Sequence, residues 1–225
     1  MPSKRTSPPS IAAPEPPSDC RQCPRLAAFR DRYRAEEPLW FNAPVPSFGS
    51  TDARLLIVGL APGLKGANRT GRPFTGDYAG DLLYSTLISF GLADGRYGAD
   101  PADGLTLREC MISNAVRCVP PENKPTPEEI ATCRPFLAAR IASLPNLQAI
   151  LALGRIAHDQ TLAALGLRKA AHGFAHGAQH AISDHVMLFD SFHCSRYNTN
   201  TGRLTPDMFH AVFKSIRRHL DRTGF

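Results

Sequence analysis

The chain has 225 residues, 43% hydrophobic and 20% charged, with 26 Lys and Arg against 20 Asp and Glu for a formal charge of +6. That is enough for one well-packed α/β domain, or for a domain with a small appendage, and the basic balance favours polyanionic partners. No apolar run approaches the roughly 20 residues of a bilayer span, and the N-terminus has no apolar secretory segment, so the expected compartment is the cytoplasm, where six cysteines do not read as a disulfide framework.

Residues 1–18, MPSKRTSPPSIAAPEPPS, are rich in Pro and Ser and predict a disordered tail, leaving 19–225 as a single domain. CPRLAAFRDRYR predicts a helix from about Cys23 to Arg34. Pro38–Gly49 carries prolines that break any regular element and reads as a loop. ARLLIVGL, ending at Leu60, is a continuous apolar run, typical of a strand buried on both faces. Ala79–Leu92 has helical apolar spacing and ends at a glycine. Leu107–Val116 predicts a second strand. Thr126–Leu144 opens with Thr, Pro and two glutamates, a good helix start. Leu147–Gly154 is a third strand, followed by a helix near Arg155. His185–His193 is a fourth strand, and Thr205–Leu220 an amphipathic closing helix. Alternating strands and helices predict an α/β three-layer sandwich: a central, mainly parallel four-stranded sheet flanked by helices. Ligands bind such folds beyond the carboxyl ends of the strands.

Cys20 and Cys23 form a C-x2-C pair, while fourteen residues separate Cys118 from Cys133. Four thiolates from two distant segments can hold zinc or an iron–sulfur cluster. The second pair is too wide for a zinc knuckle, and a [4Fe–4S] cluster tolerates the spacing better. Scattered core cysteines are the remaining alternative. Cys110 lies in a strand and reads as core, and Cys194 falls outside the set. The cluster can serve structure alone, pinning the N-terminal helix to the body.

GLAPGLKGANRTGRPFTGD, Gly59–Asp77, follows the first strand directly. It fits neither the G-x-x-x-x-G-K-[ST] nor the G-x-G-x-x-G phosphate motif. Phe74 is an aromatic in a polar stretch, suited to stacking on a planar ring. Asp77 can align water or stabilise a cation, or simply cap the helix beginning near Ala79. Asn114, at the end of the second strand, offers donor and acceptor to the edge of a base, or satisfies loop backbone. His193, at the end of the fourth, can donate to a developing oxyanion, or fill a turn.

Together the cysteine set, GLAPGLKGANRTGRPFTGD, SNAVRCVPPENKP and HCSRYNTNTGRL resemble the iron–sulfur uracil-DNA glycosylases, from about Cys20 to Leu220. Family 4 of that superfamily carries Glu where this chain has Leu60, and the GANRTGRPFTGD continuation is similar to family 5, the type B enzymes. The resemblance implies a monomeric DNA-repair hydrolase that flips a deaminated base (uracil, and by analogy hypoxanthine or xanthine) out of double-stranded DNA and cuts its N-glycosidic bond. It implies a [4Fe–4S] cluster on Cys20, Cys23, Cys118 and Cys133 that takes no part in the chemistry. The pocket would be floored by Gly59, Leu60, Ala61 and Pro62, with Phe74 stacking on the base and Asn114 reading its edge. Asp77 would position water and His193 would bond the base carbonyl. Ser195–Gly202 would enter the minor groove, with Arg196 and Tyr197 as wedge candidates beside Ser195 and Asn198. Asn68, Arg69, Arg72 and Arg203 would hold phosphates, unless they form only a solvated surface. Two departures stand out. Cys194 occupies a position where the family commonly has Pro, and Leu64–Lys65 replaces a small residue and His. A non-catalytic nucleic-acid-binding protein on the same scaffold is the principal alternative, ahead of a nucleotide-dependent enzyme.

Overall fold

The computed structural model describes residues 14–223. In chain order the elements are α1 (Pro24–Glu36), β1 (Phe48–Gly49), β2 (Leu55–Gly59), α2 (Ala67–Thr70), α3 (Tyr78–Ser89), β3 (Ala93–Asp94), β4 (Thr106–Leu107), β5 (Cys110–Asn114), α4 (Pro127–Ala142), β6 (Ala149–Leu153), α5 (Arg155–Ala164), β7 (Gln179–Ala181), β8 (Met187–Ser191), α6 (Arg196–Asn200) and α7 (Pro206–Arg222). The main sheet runs β1-β5-β2-β6-β8-β7, and a separate hairpin pairs β3 with β4.

The four expected strands are the four parallel ones, β5, β2, β6 and β8. Every residue of β2, β5 and β6 is buried, which is why these segments read as unbroken apolar runs. The sheet has six strands rather than four. Two short antiparallel strands, β1 on β5 and β7 on β8, close its edges. Strands of two and three residues are too short to show a periodicity.

Alternate strand residues serve opposite layers. Leu55 and Ile57 pack with Leu83 and Leu87 of α3 and Phe209 and Phe213 of α7. Leu56 and Val58 pack with Leu137 of α4 and Leu162 of α5. A smaller cluster joins Leu26 of α1 to Val116, Ile130 and Phe136 beside Cys118 and Cys133. Thr126 starts α4 with a capping box closed by Glu129, and Arg25 reaches that same carboxylate at 2.7 and 2.8 Å. This ion pair ties α1 to α4 and draws the C-x2-C segment towards Cys133.

Residues 1–13 of the expected tail lie outside the described residues. Residues 14–18 lie against the domain, where the Glu15 carboxylate sits between Arg117 at 3.0 Å and Arg140 at 2.6 Å. Among the described residues no helix is long and apolar enough to cross a membrane.

Candidate functional site

Strand order places the loops after β2, β5 and β8 at one edge of the sheet, with β2 in the middle and connections leaving it in both directions. Such a switch point opens a crevice at the carboxyl ends of the strands. A cavity of about 610 Å³ lies there, bounded by Leu60, Ala61, Pro62, Phe74, Asp77, Asn114 and His193.

Asp77 is the N-cap of α3, and one carboxylate oxygen accepts from the Gly80 N–H at 3.2 Å. The other faces two glycines. A β-carbon on Gly63 would stand 3.2 Å from Oδ2, and one on Gly66 2.6 Å from it. Capping thus engages one carboxylate oxygen, and the residue also borders the cavity. Burial pushes the Asp77 pKa above the usual carboxylate value, against the opposing pull of the helix N–H groups.

Asn114 ends β5 in register with Gly59 on β2. A β-carbon on Gly59 would collide with Asn114 Oδ1 and stand 2.7 Å from Phe74 Cζ. The glycine thus lets the amide and the ring meet the same space. Asn114 is 3% exposed, and its Oδ1 has no hydrogen-bond partner among the described residues. An unpaired buried acceptor costs about 1–3 kcal/mol, and Asn114 borders the cavity, where a ligand donor can reach it.

Phe74 is buried and holds φ at +53°, a strained conformation for a bulky residue. The turn is over-determined from below. Tyr97 Oη donates to the Phe74 carbonyl at 3.1 Å, Tyr84 Oη donates to the Pro73 carbonyl at 2.6 Å, and Arg72 Nε donates to Thr75 Oγ1 at 2.7 Å. The His193 ring stacks on Phe74, with centroids 5.8 Å apart and planes 28° apart. Burial lowers the His193 pKa to about 4, which leaves the imidazole neutral at physiological pH and able to donate one N–H.

The rim residues divide. Arg196 is exposed, stacks over Tyr78 at 5.2 Å and borders the cavity with Ser195. Tyr197 is 71% exposed. Arg69 is exposed beside Lys65, and Arg203 stacks on Phe192 at 4.7 Å. Ser195–Gly202 is not an open loop: Ser195 caps α6 by accepting from the Asn198 N–H, and the Asn198 amide donates to the His193 carbonyl at 2.8 Å. Those two residues shape the segment and hold His193. Two expected phosphate contacts are corrected. Arg72 is buried and forms a two-pronged ion pair with Asp103 at 2.8 and 2.7 Å, and Asn68 is fully buried with its amide on Asn42 Oδ1 at 2.9 Å. Neither side chain reaches the surface. Tyr78, Leu64, Lys65 and Asn123 also line the cavity. Asn123 was not singled out in the sequence; it stands in the quoted PPENKP stretch, and its φ is +57°. Cys194 is completely buried against Ala79 and belongs to the core.

A second, smaller cavity is lined by Cys20, Cys23, Cys118 and Cys133 together. All six cysteines are free thiols. Arg30, itself buried, donates to Cys118 Sγ at 3.5 Å and to the Cys20 carbonyl at 2.9 Å, and the Arg117 N–H donates to Cys133 Sγ at 3.4 Å. Four cysteines bordering one cavity, two of them with N–H donors on their sulfurs, are a donor set that a metal centre can use.

Comparison with known proteins gives the chain a family. Residues 46–217 match the model of the uracil DNA glycosylase superfamily. A type-5 uracil-DNA glycosylase of Thermus thermophilus is 48% identical over 205 residues, covering 88% of this chain and 93% of that protein. Type-5 uracil-DNA glycosylases of Mycobacterium bovis and Mycobacterium leprae are each 43% identical, covering 89% of this chain and 78% and 91% of theirs. With a superfamily match across most of the chain, and type-5 relatives aligned nearly end to end, this chain belongs to the uracil-DNA glycosylase superfamily, in its type-5 branch.

Proposed function

We propose that the protein is a monofunctional uracil-DNA glycosylase that hydrolyses the N-glycosidic bond of uracil in double-stranded DNA and leaves an abasic site. The observation that carries this reading is the unpaired buried Asn114 Oδ1 in a cavity whose other walls are Asp77, Phe74 and His193. Uracil presents a ring N–H beside a carbonyl, so a fixed amide oxygen finds its donor there. Cytosine presents an acceptor at the same ring position. The target cannot be reached inside the duplex, so the nucleotide is flipped into the cavity. Phe74 supplies a face for the ring.

As the bond between base and sugar lengthens, the sugar gains oxocarbenium character and the base takes the electron pair. Neutral His193 donates its N–H to the base carbonyl that accumulates this charge. The Asp77 carboxylate holds the attacking water and offsets the positive sugar. The base leaves with the bonding electron pair, water adds to the anomeric carbon, and the proton it releases passes to solvent, from which the base anion takes one up. Deaminated purines fit the same scheme, and a cavity of about 610 Å³ has room for them. Arg196, Arg69 and Arg203 contact the DNA backbone, and exposed Tyr197 fills the gap left by the flipped nucleotide. The protein works as a monomer, in the cytoplasm, where a bacterial chromosome lies.

Cys20, Cys23, Cys118 and Cys133 would hold a [4Fe–4S] cluster. The four thiols lining one cavity fit that group, and when bound it would link the start of α1, the loop after β5 and α4. The test of the proposal is incubation with duplexes carrying uracil, hypoxanthine or no lesion, followed by alkali. Cleavage at the lesion alone supports it, and binding without cleavage of any lesion would favour the non-catalytic alternative.

A further inference from the structure

We propose that His158, His180 and Asp190 form a binding site for a divalent transition-metal ion, with zinc the best fit, separate from both the base pocket and the cysteine cavity. Asp190 lies on β8 with no exposure at all. Each of its oxygens meets a different imidazole: Oδ1 is 2.7 Å from His158 Nδ1 on α5, and Oδ2 is 3.2 Å from His180 Nε2 on β7. The three donor atoms lie within 4.8 Å of one another. Two imidazoles and a carboxylate are a zinc donor set, usually completed by water.

The surroundings have the form of a metal site. His158 Nε2 is 2.8 Å from the His172 carbonyl, which only accepts, so this nitrogen carries the hydrogen. That outer bond fixes the ring and turns Nδ1 towards Asp190, as is usual for a histidine that ligates a metal. A buried carboxylate needs a counter-charge, and among the described residues only the two imidazoles stand against Asp190, so a proton on an imidazole or a metal ion between them supplies it. Of the three, His180 is the one that keeps some exposure, 15% of its side chain. The same three atoms can instead share a proton, so the ion has to be tested for directly.

The fold gives such an ion a task. β7 holds to β8 by three residue pairs only, and the excursion between α5 and β7 brings in His172 and Phe174. An ion bridging α5, β7 and β8 staples this edge to the sheet, three residues before His193.

The test uses cluster-loaded protein dialysed against a chelator. Zn²⁺ is titrated in competition with a chromophoric chelator, and Co²⁺ is added to a parallel sample. Wild type is expected to take one equivalent of zinc beyond its iron and to melt at a higher temperature with it. His180→Gln and Asp190→Asn should bind zinc at least about 100-fold more weakly. Bound cobalt should show four-coordinate nitrogen–oxygen bands without thiolate charge transfer. If Asp190→Asn does not fold, His180→Gln and the wild-type cobalt spectrum decide. No stoichiometric uptake by wild type, which is the shared-proton result, would overturn the proposal. So would undiminished uptake by His180→Gln, or a thiolate-type cobalt spectrum.

Discussion

Asp77 Oδ2 lies 2.6 Å from the point where a β-carbon on Gly66 would stand. The glycine-rich loop is therefore a mould for a carboxylate. Its glycines clear space for Asp77, while the N-terminus of α3 holds the other oxygen.

This relationship predicts that Gly66→Ala acts as an active-site substitution although alanine carries no chemistry. The carboxylate must shift, and the cleavage rate should fall towards that of Asp77→Asn, with DNA affinity unchanged. A loss of about 10²-fold or more is expected for Asp77→Asn, the range for a positioned acid or base. Single-turnover rates on a uracil-containing duplex, with binding measured in parallel, check both.

The raised pKa of Asp77 has a sign for stability. The group binds its proton more tightly in the folded chain, so its contribution is complete below the unfolded pKa and is lost as pH rises through the folded value. At neutral pH the charged carboxylate is a cost. Asp77→Asn should melt higher than wild type at pH 7, and the difference should close in acid. Thermal scans across that range check it. The same shift sets the acid limb of activity above the ordinary carboxylate range. His193, neutral above a pH of about 4, adds no step near neutrality.

Arg72 and Arg196 should separate cleanly. Removing Arg72 leaves Asp103 as an unpaired carboxylate and releases the Phe74 turn, so Arg72→Ala should cost about 3–5 kcal/mol of stability. It should leave the salt slope of DNA binding unchanged. Arg196→Ala should have little effect on folding and should reduce the slope by about 1, the loss of one phosphate contact. Denaturant melts and affinities at several salt concentrations distinguish the two.

Cys118→Ser should lose iron and brown colour and melt at a lower temperature, while Cys110→Ser, a core substitution, should keep the iron. Iron content per chain is the measurement. Unchanged iron in Cys118→Ser would remove that cysteine from the ligand set.

Much of this architecture was legible because burial on both faces writes continuous apolar runs, as in Leu55–Val58 and Ala149–Leu153. The edge strands β1 and β7, and the single turns α2 and α6, were not, since two to five residues carry no period. Asp77, Asn114 and His193 could be found together because Asn114 ends β5, His193 lies just past β8 and Asp77 closes the glycine-rich loop that leaves β2, so all three belong to the carboxyl edge of the sheet. Arg72 and Asn68 were misplaced for the opposite reason. In a polar glycine-rich loop both look solvated, and the partners that bury them, Asp103 and Asn42, are 31 and 26 residues away in sequence. The His158–Asp190–His180 contact was equally silent, because it joins three elements with no common motif.

The most direct test of the central claim is single-turnover release of free uracil from a duplex with one uracil opposite guanine, by wild type and by Asp77→Asn with the same iron content. The account predicts release by wild type, alkali-labile abasic sites in equal yield, and a rate at least about 10²-fold lower in the variant at unchanged affinity. Equal rates in the two proteins, or binding by wild type without release of the base, would contradict it.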